Sequence, residues 1–173
     1  DSSYINAYNN RGLCKDHLKD FKGAIEDFTK VIELDPNDTL AFYNRARSYL
    51  AINEYQNSLQ DNMIVEKQLY GQEEIPKEIP KNIKQMCGLN SGLAALNLKW
   101  FEIAIMNFDK AIDENNNFAD AFQNRALAKF GLNDLEGAIS DAKKALKLGN
   151  LQAQDILTII DNATKKKQDV QDN

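Results

Sequence analysis

Apolar and small residues along the chain fall about four apart: Tyr8 and Gly12, Ala24 and Phe28, Phe42 and Ala46, Phe122 and Ala126, Ala138 and Ala142. That spacing returns each pair to one face of an α-helix, so the pattern predicts a succession of short helices with one buried face each. The pairs themselves recur. Gly12 returns as Ala46, Ala24 as Ser58, Gly92 as Ala126 and Ala104 as Ala138, always across one fixed interval. Ala46 and Gly92 stand further apart, by one period plus an insertion. Breaks fall where the period requires them. Pro36 cannot continue a helix interior, Asn115-Asn116-Asn117 and Gly131 with Asn133 tolerate turn conformations, and Asn37 or Asp38 can cap the helix that follows. A small residue in each of two helices at a fixed period of about 34 residues is the mark of a repeated helical hairpin.

On these residues the chain resembles the tetratricopeptide-repeat proteins, in four repeats. Tyr8, Gly12, Ala24, Phe28 and Pro36 fall where that family places its packing residues, with departures at Arg11, Lys15 and Val31. The resemblance implies an all-α fold, a right-handed α-solenoid of stacked antiparallel helix hairpins. Repeats are expected at about 5–38, 39–72, 85–118 and 119–150, with an insertion at 71–84, a capping helix at 151–164 and a frayed tail at 165–173. The second helix of the second repeat departs furthest: Asn62 and Val65 stand in place of an aromatic and a small residue, and it is expected to run on to about Tyr70. In the insertion, the steps before Pro76 and Pro80 favour extended backbone. Ile75 and Ile79 there either cover the seam between repeats or form a contact element. Trp100 is expected as a packed residue of the third hairpin's turn.

Composition narrows the function classes. The net charge of −5 gives no general basic face with which to displace counterions from phosphate, so no nucleic-acid partner is expected. No apolar run approaches the roughly 20 residues that cross a bilayer, and no signal peptide is legible, so no membrane partner is expected and the chain is placed in the cytoplasm. Cys14 and Cys87 have neither metal nor redox spacing and are expected as free thiols. The chain begins at Asp1 without an initiator methionine, so it is expected to be a piece of something longer.

The candidate chemistry is recognition and not catalysis. His17 has no nucleophile or ligand set beside it, and the carboxylates are scattered over helical surfaces, so neither catalytic residues, nor a cofactor, nor a metal is expected. In the family the first helices line a concave groove. The position two before the small residue is asparagine in all four of them, at Asn10, Asn44, Asn90 and Asn124, each able to offer a donor and an acceptor to an extended peptide. Tyr43, Arg47, Leu89, Leu93, Leu127 and Phe130 complete the expected groove, polar at its start and apolar further on. The leucines are either core or binding surface. A carboxylate clamp for acidic chaperone tails needs Lys and Asn, then Asn, then Lys and Arg on successive first helices. Here Asn9, Leu13, Asn44, Met86 and Asn90 occupy those positions and only Asn44 fits, so no chaperone C-terminal tail is expected. Arg11, Arg45 and Arg125 each stand the same distance before an aspartate, Asp27, Asp61 and Asp141, whereas the third repeat carries Ser91 and Asn107. An ion pair between the two helices is therefore predicted in every hairpin but the third. The reading is a non-catalytic protein-interaction scaffold binding a partner's peptide or helix. The alternatives are a structural subunit packed permanently in a large cytoskeletal or ciliary assembly, and an accessory domain of an enzyme.

Overall fold

A computed structural model describes residues 2–69 and 75–171, with side chains described for 3–69 and 75–165. Among these the chain forms helices α1 (Ser2–His17), α2 (Phe21–Leu34), α3 (Thr39–Ala51), α4 (Tyr55–Leu69), α5 (Ile83–Asn97), α6 (Phe101–Glu114), α7 (Ala119–Gly131), α8 (Leu135–Lys147) and α9 (Ala153–Gln171), and no strand. Consecutive helices pair as four hairpins, and each hairpin stacks on the next. The backbones of α1, α3, α5 and α7 each approach the next helix of that set, whereas those of α2, α4, α6 and α8 stay apart. A stack that touches along one row of helices and splays along the other is curved. The first helices therefore line its hollow side and the second helices its outer side.

The turns are made alike. Lys19, Asn53, Lys99 and Asn133 adopt positive φ, between 60° and 64°. The next residue's amide then donates back five residues, Asp20 to Lys15, Glu54 to Tyr49, Trp100 to Ala95 and Asp134 to Lys129, all at 2.9–3.0 Å. This arrangement satisfies carbonyls that the end of a helix would otherwise leave open. Asp20 and Asp134 then cap the second helix by accepting from Gly23 and Gly137 amides at 3.1 and 2.9 Å.

Inside each hairpin the small residue of the first helix faces one residue of the second, and their sizes compensate. The Phe28 ring lies over Gly12 and the Phe108 ring over Gly92, so close that a β-carbon at either glycine would fall 2.9 or 2.3 Å from the ring. Where the first helix carries Ala46 or Ala126, the partner shrinks to Asn62 or Ala142, both fully buried.

One expectation about the irregular segments is now resolved. Ile75 and Ile79 pack on Phe42, Val65, Leu69, Ile83 and Cys87, so they cover the seam between the second and third hairpins. Tyr70 to Glu74, to which the end of the long second helix and the start of the insertion were assigned, lie outside the described residues. At the other end α9 buries Ala153, Ile156 and Ile160 against Phe122, Ala138 and Ala142, each isoleucine contributing about 1.5–3 kcal/mol. The helix α9 runs past residue 165 to Gln171. Neither glycine nor proline interrupts it, and Lys165 pairs with Asp161 at 2.7 Å across one turn.

Candidate functional site: the hollow face

The four asparagines are not equivalent. Asn10 is exposed, whereas Asn44 and Asn90 are 9% and 5% exposed. Asn124 turns its amide to the Asp120 carbonyl at 2.8 Å. Asn90 Nδ2 is buried without a partner, and so is Asn9 Oδ1.

Polar groups at the start of the hollow are largely consumed in holding it together. Arg47 reaches back to Asp16 at 2.6 Å, and Ser48 donates to the other oxygen of the same carboxylate at 3.0 Å. The guanidinium also lies 6.0 Å from the centre of the Tyr43 ring. Burial pushes the Tyr43 phenol up, opposed by Arg47. Arg47, expected as a groove residue, is thus a tie between α1 and α3. The sequence carried no signal for that pair, because the partners belong to different repeats and the position of Asp16 is not acidic in the others.

Beside Tyr43 and Asn44 opens a cavity of about 380 Å3 whose far wall is Glu78, Pro80 and Asn82. The second half of the insertion therefore walls this cavity. Further along, the surface turns apolar. Leu89 is 8% exposed and belongs to the core with Ala95, Ala104 and Phe108, while Leu93 and Leu96 are half-buried against it. Leu127 and Phe130 are likewise half-buried. Of the leucines left open between core and surface, Leu89 is buried in the core and Leu93 and Leu127 are half-buried.

The predicted ion pairs are present. Arg11, Arg45 and Arg125 each grip the matching aspartate of the second helix, with Nε to Oδ2 at 2.8 Å in all three. The carboxylates are 2–4% exposed. The second and third of these arginines also touch the second helix of the preceding hairpin. Arg45 donates to Thr29 at 3.0 Å and Arg125 to Asp109. One guanidinium thus fastens three helices, a role that shows in the sequence only when Thr29, Met63, Asp109 and Lys143 are aligned as one repeat position.

Tetratricopeptide-repeat profiles match residues 5–38, 28–60 and 119–148. The chain is a tetratricopeptide-repeat protein. It is 31% identical to the wheat (Triticum aestivum) Hsp70-Hsp90 organizing protein over 120 residues, 68% of this chain and 20% of that protein. With RNA polymerase II-associated protein 3 of Xenopus laevis it shares 30% over 128 residues, 72% of this chain and 19% of that one. The repeat chain thus spans about a fifth of these relatives' length. Its fold is similar to MamA, with a TM-score of 0.75 at 19% identity, covering 97% of this chain and 90% of that one. It is similar also to the Cut9–Hcn1 hetero-tetramer of APC/C, with a TM-score of 0.78 at 16% identity, covering 90% of this chain and 29% of that one. Among the described residues, no helix of the repeat chain is long and apolar enough to cross a membrane.

Proposed function

We propose that this tetratricopeptide-repeat chain is a non-catalytic interaction module that holds a peptide or helix of a partner protein in its hollow face. What supports the reading is the set of half-buried apolar side chains Leu93, Leu96, Leu127 and Phe130 on the first helices of the third and fourth hairpins. Apolar side chains at helical spacing suit the apolar face of a bound segment. The wheat and Xenopus relatives are named for organizing Hsp70 with Hsp90 and for association with RNA polymerase II, so proteins that share these repeats work with protein partners.

The partner's chemistry follows from the side chains present. Where an acidic chaperone tail would need lysine and arginine, this chain carries Asn9, Met86 and Asn90, and Arg47 is already committed to Asp16. A segment with two or three apolar residues is the better occupant. The test is a paired Leu93→Asp, Leu127→Asp variant, probed with partners captured by the native chain. The reading requires capture to fall at least tenfold, about 1.4 kcal/mol, with helicity by circular dichroism unchanged. Undiminished capture would sink it, and loss of helicity would assign both leucines to the core. A chaperone C-terminal peptide titrated to roughly 100 μM should show no saturable binding.

A further inference from the structure

On the outer side, the arginine described above closes the seam between second helices at two of the three junctions. At the middle one it is missing: Ser91 stands where Arg45 and Arg125 stand, Asn107 replaces the aspartate, and Met63 takes the place of Thr29 and Asp109. The seam there is open. A cleft of about 450 Å3 runs between α4 and α6, with Ser91 and Asn107 at its floor and Met63, Trp100, Ile103 and Met106 along its sides. Those four side chains are 68%, 42%, 42% and 51% exposed. Scattered apolar residues on a surface need no explanation, but four large ones lining a single cleft do. A second local rule is broken at the same place. Trp100 occupies the cap position of α6, which Asp20 and Asp134 fill in the first and fourth hairpins, and it makes no capping hydrogen bond. Positions that forgo a local stabilising choice concentrate at functional sites.

The charge around the cleft selects an occupant. Glu102 and Asp113 stand exposed along the outward ridge of α6 with Met106 between them, while Asp109 on the same ridge is held by Arg125. Lys110, the only cation of α6, is held by Glu66 at 2.7 Å across the cleft's end. We propose that this seam docks an amphipathic helix of a partner protein, its apolar stripe entering the cleft and flanking lysines or arginines meeting the acidic ridge. Methionine side chains adapt to differently shaped apolar knobs, and a helix delivers such knobs at i, i+3 and i+4. This surface faces away from the hollow and does not depend on what binds there.

Trp100 is the only tryptophan, so the cleft carries its own reporter. The probe is a synthetic helical peptide of leucine and lysine with one apolar stripe, and the control is its leucine and glutamate twin. The native chain should give a saturable blue shift of emission with the basic peptide and at least tenfold weaker binding with the acidic one. Ser91→Arg with Asn107→Asp restores the pair found in the other hairpins without changing net charge, so nonspecific attraction is preserved while the cleft is filled. That variant should bind at least tenfold more weakly by calorimetry, and so should Met106→Asp, an exposed change that leaves packing intact. Equal binding of both peptides, or native affinity in both variants, overturns the proposal. So does binding that survives these changes but is lost with Leu93→Asp, which would place the peptide in the hollow.

Discussion

The second and third hairpins have each kept what the other lost. The second retains its ion pair, Arg45 to Asp61, but in place of an aromatic ring on glycine it has Ala46 against Asn62, with both amide atoms of Asn62 buried and unpartnered. The third retains the ring on glycine, Phe108 over Gly92, but has neither arginine nor aspartate. The first has both fastenings, and the fourth has the ion pair with two alanines. Two independent devices can therefore join the helices of a hairpin, and every hairpin here keeps at least one. Where the ion pair goes, in the third hairpin, the outer seam opens; where the aromatic goes, the second hairpin strands an amide inside and the fourth packs alanine on alanine.

The comparison breaks most severely where no second fastening exists. Phe108→Ala removes the third hairpin's remaining device and should cost about 4 kcal/mol in urea unfolding. Phe28→Ala should cost less, because Arg11 still holds Asp27 beneath it. Arg45→Met should cost about 3 kcal/mol, since it leaves Asp61, 3% exposed, buried without its cation. The equivalent change at Arg11, whose side chain is 59% exposed, should register as a smaller shift of the same midpoint. Gly92→Ala should cost about 1–2 kcal/mol, the ring clash outweighing the gain in helix propensity. Asn62→Leu, with the same branching and the same number of side-chain heavy atoms, should raise stability by about 1 kcal/mol, because it removes two unmet hydrogen-bonding atoms. A fall in stability there would mean that the amide has a partner in solution.

The smallest effect is on pH. The Arg11 hydrogen bond, joined by Lys15 and opposed by burial, holds the Asp27 carboxyl below the usual carboxylate range. A carboxyl lowered in the folded state contributes fully above its unfolded value of about 3.9, and the contribution is lost as pH falls through the folded value. Asp27→Asn should flatten the acid limb of the urea midpoint. Thiol chemistry supplies an independent check on burial. Cys14 is exposed and should alkylate at once, whereas Cys87 is buried, with its thiol pushed up to about 12, and should react only when the hairpins open.

The repeat period, the turns and the three ion pairs were legible because each rests on residues a fixed distance apart within one hairpin. The hollow was less so. Whether Leu89 or Leu93 faces it depends on how far one hairpin rotates on the next, and that is settled by contacts between residues distant in sequence. Asn44 and Asn90 share a repeat position with Asn10, yet neighbouring hairpins cover the first two and leave the third open. The outer cleft was visible only as an absence, Ser91 without its arginine, and an absence acquires meaning only once the arginine's second contact is known.

The left-handed residue at each turn apex has a consequence of its own. Because Lys19, Asn53, Lys99 and Asn133 share one main-chain conformation, every second helix departs in the same direction whatever side chain stands at the bend. The course of the coil is thus written in backbone angles, leaving surface chemistry free to diverge between repeats. Lysine at such a bend is an expense of roughly 1 kcal/mol that the molecule carries twice, and glycine at either apex would relieve it without redirecting the chain.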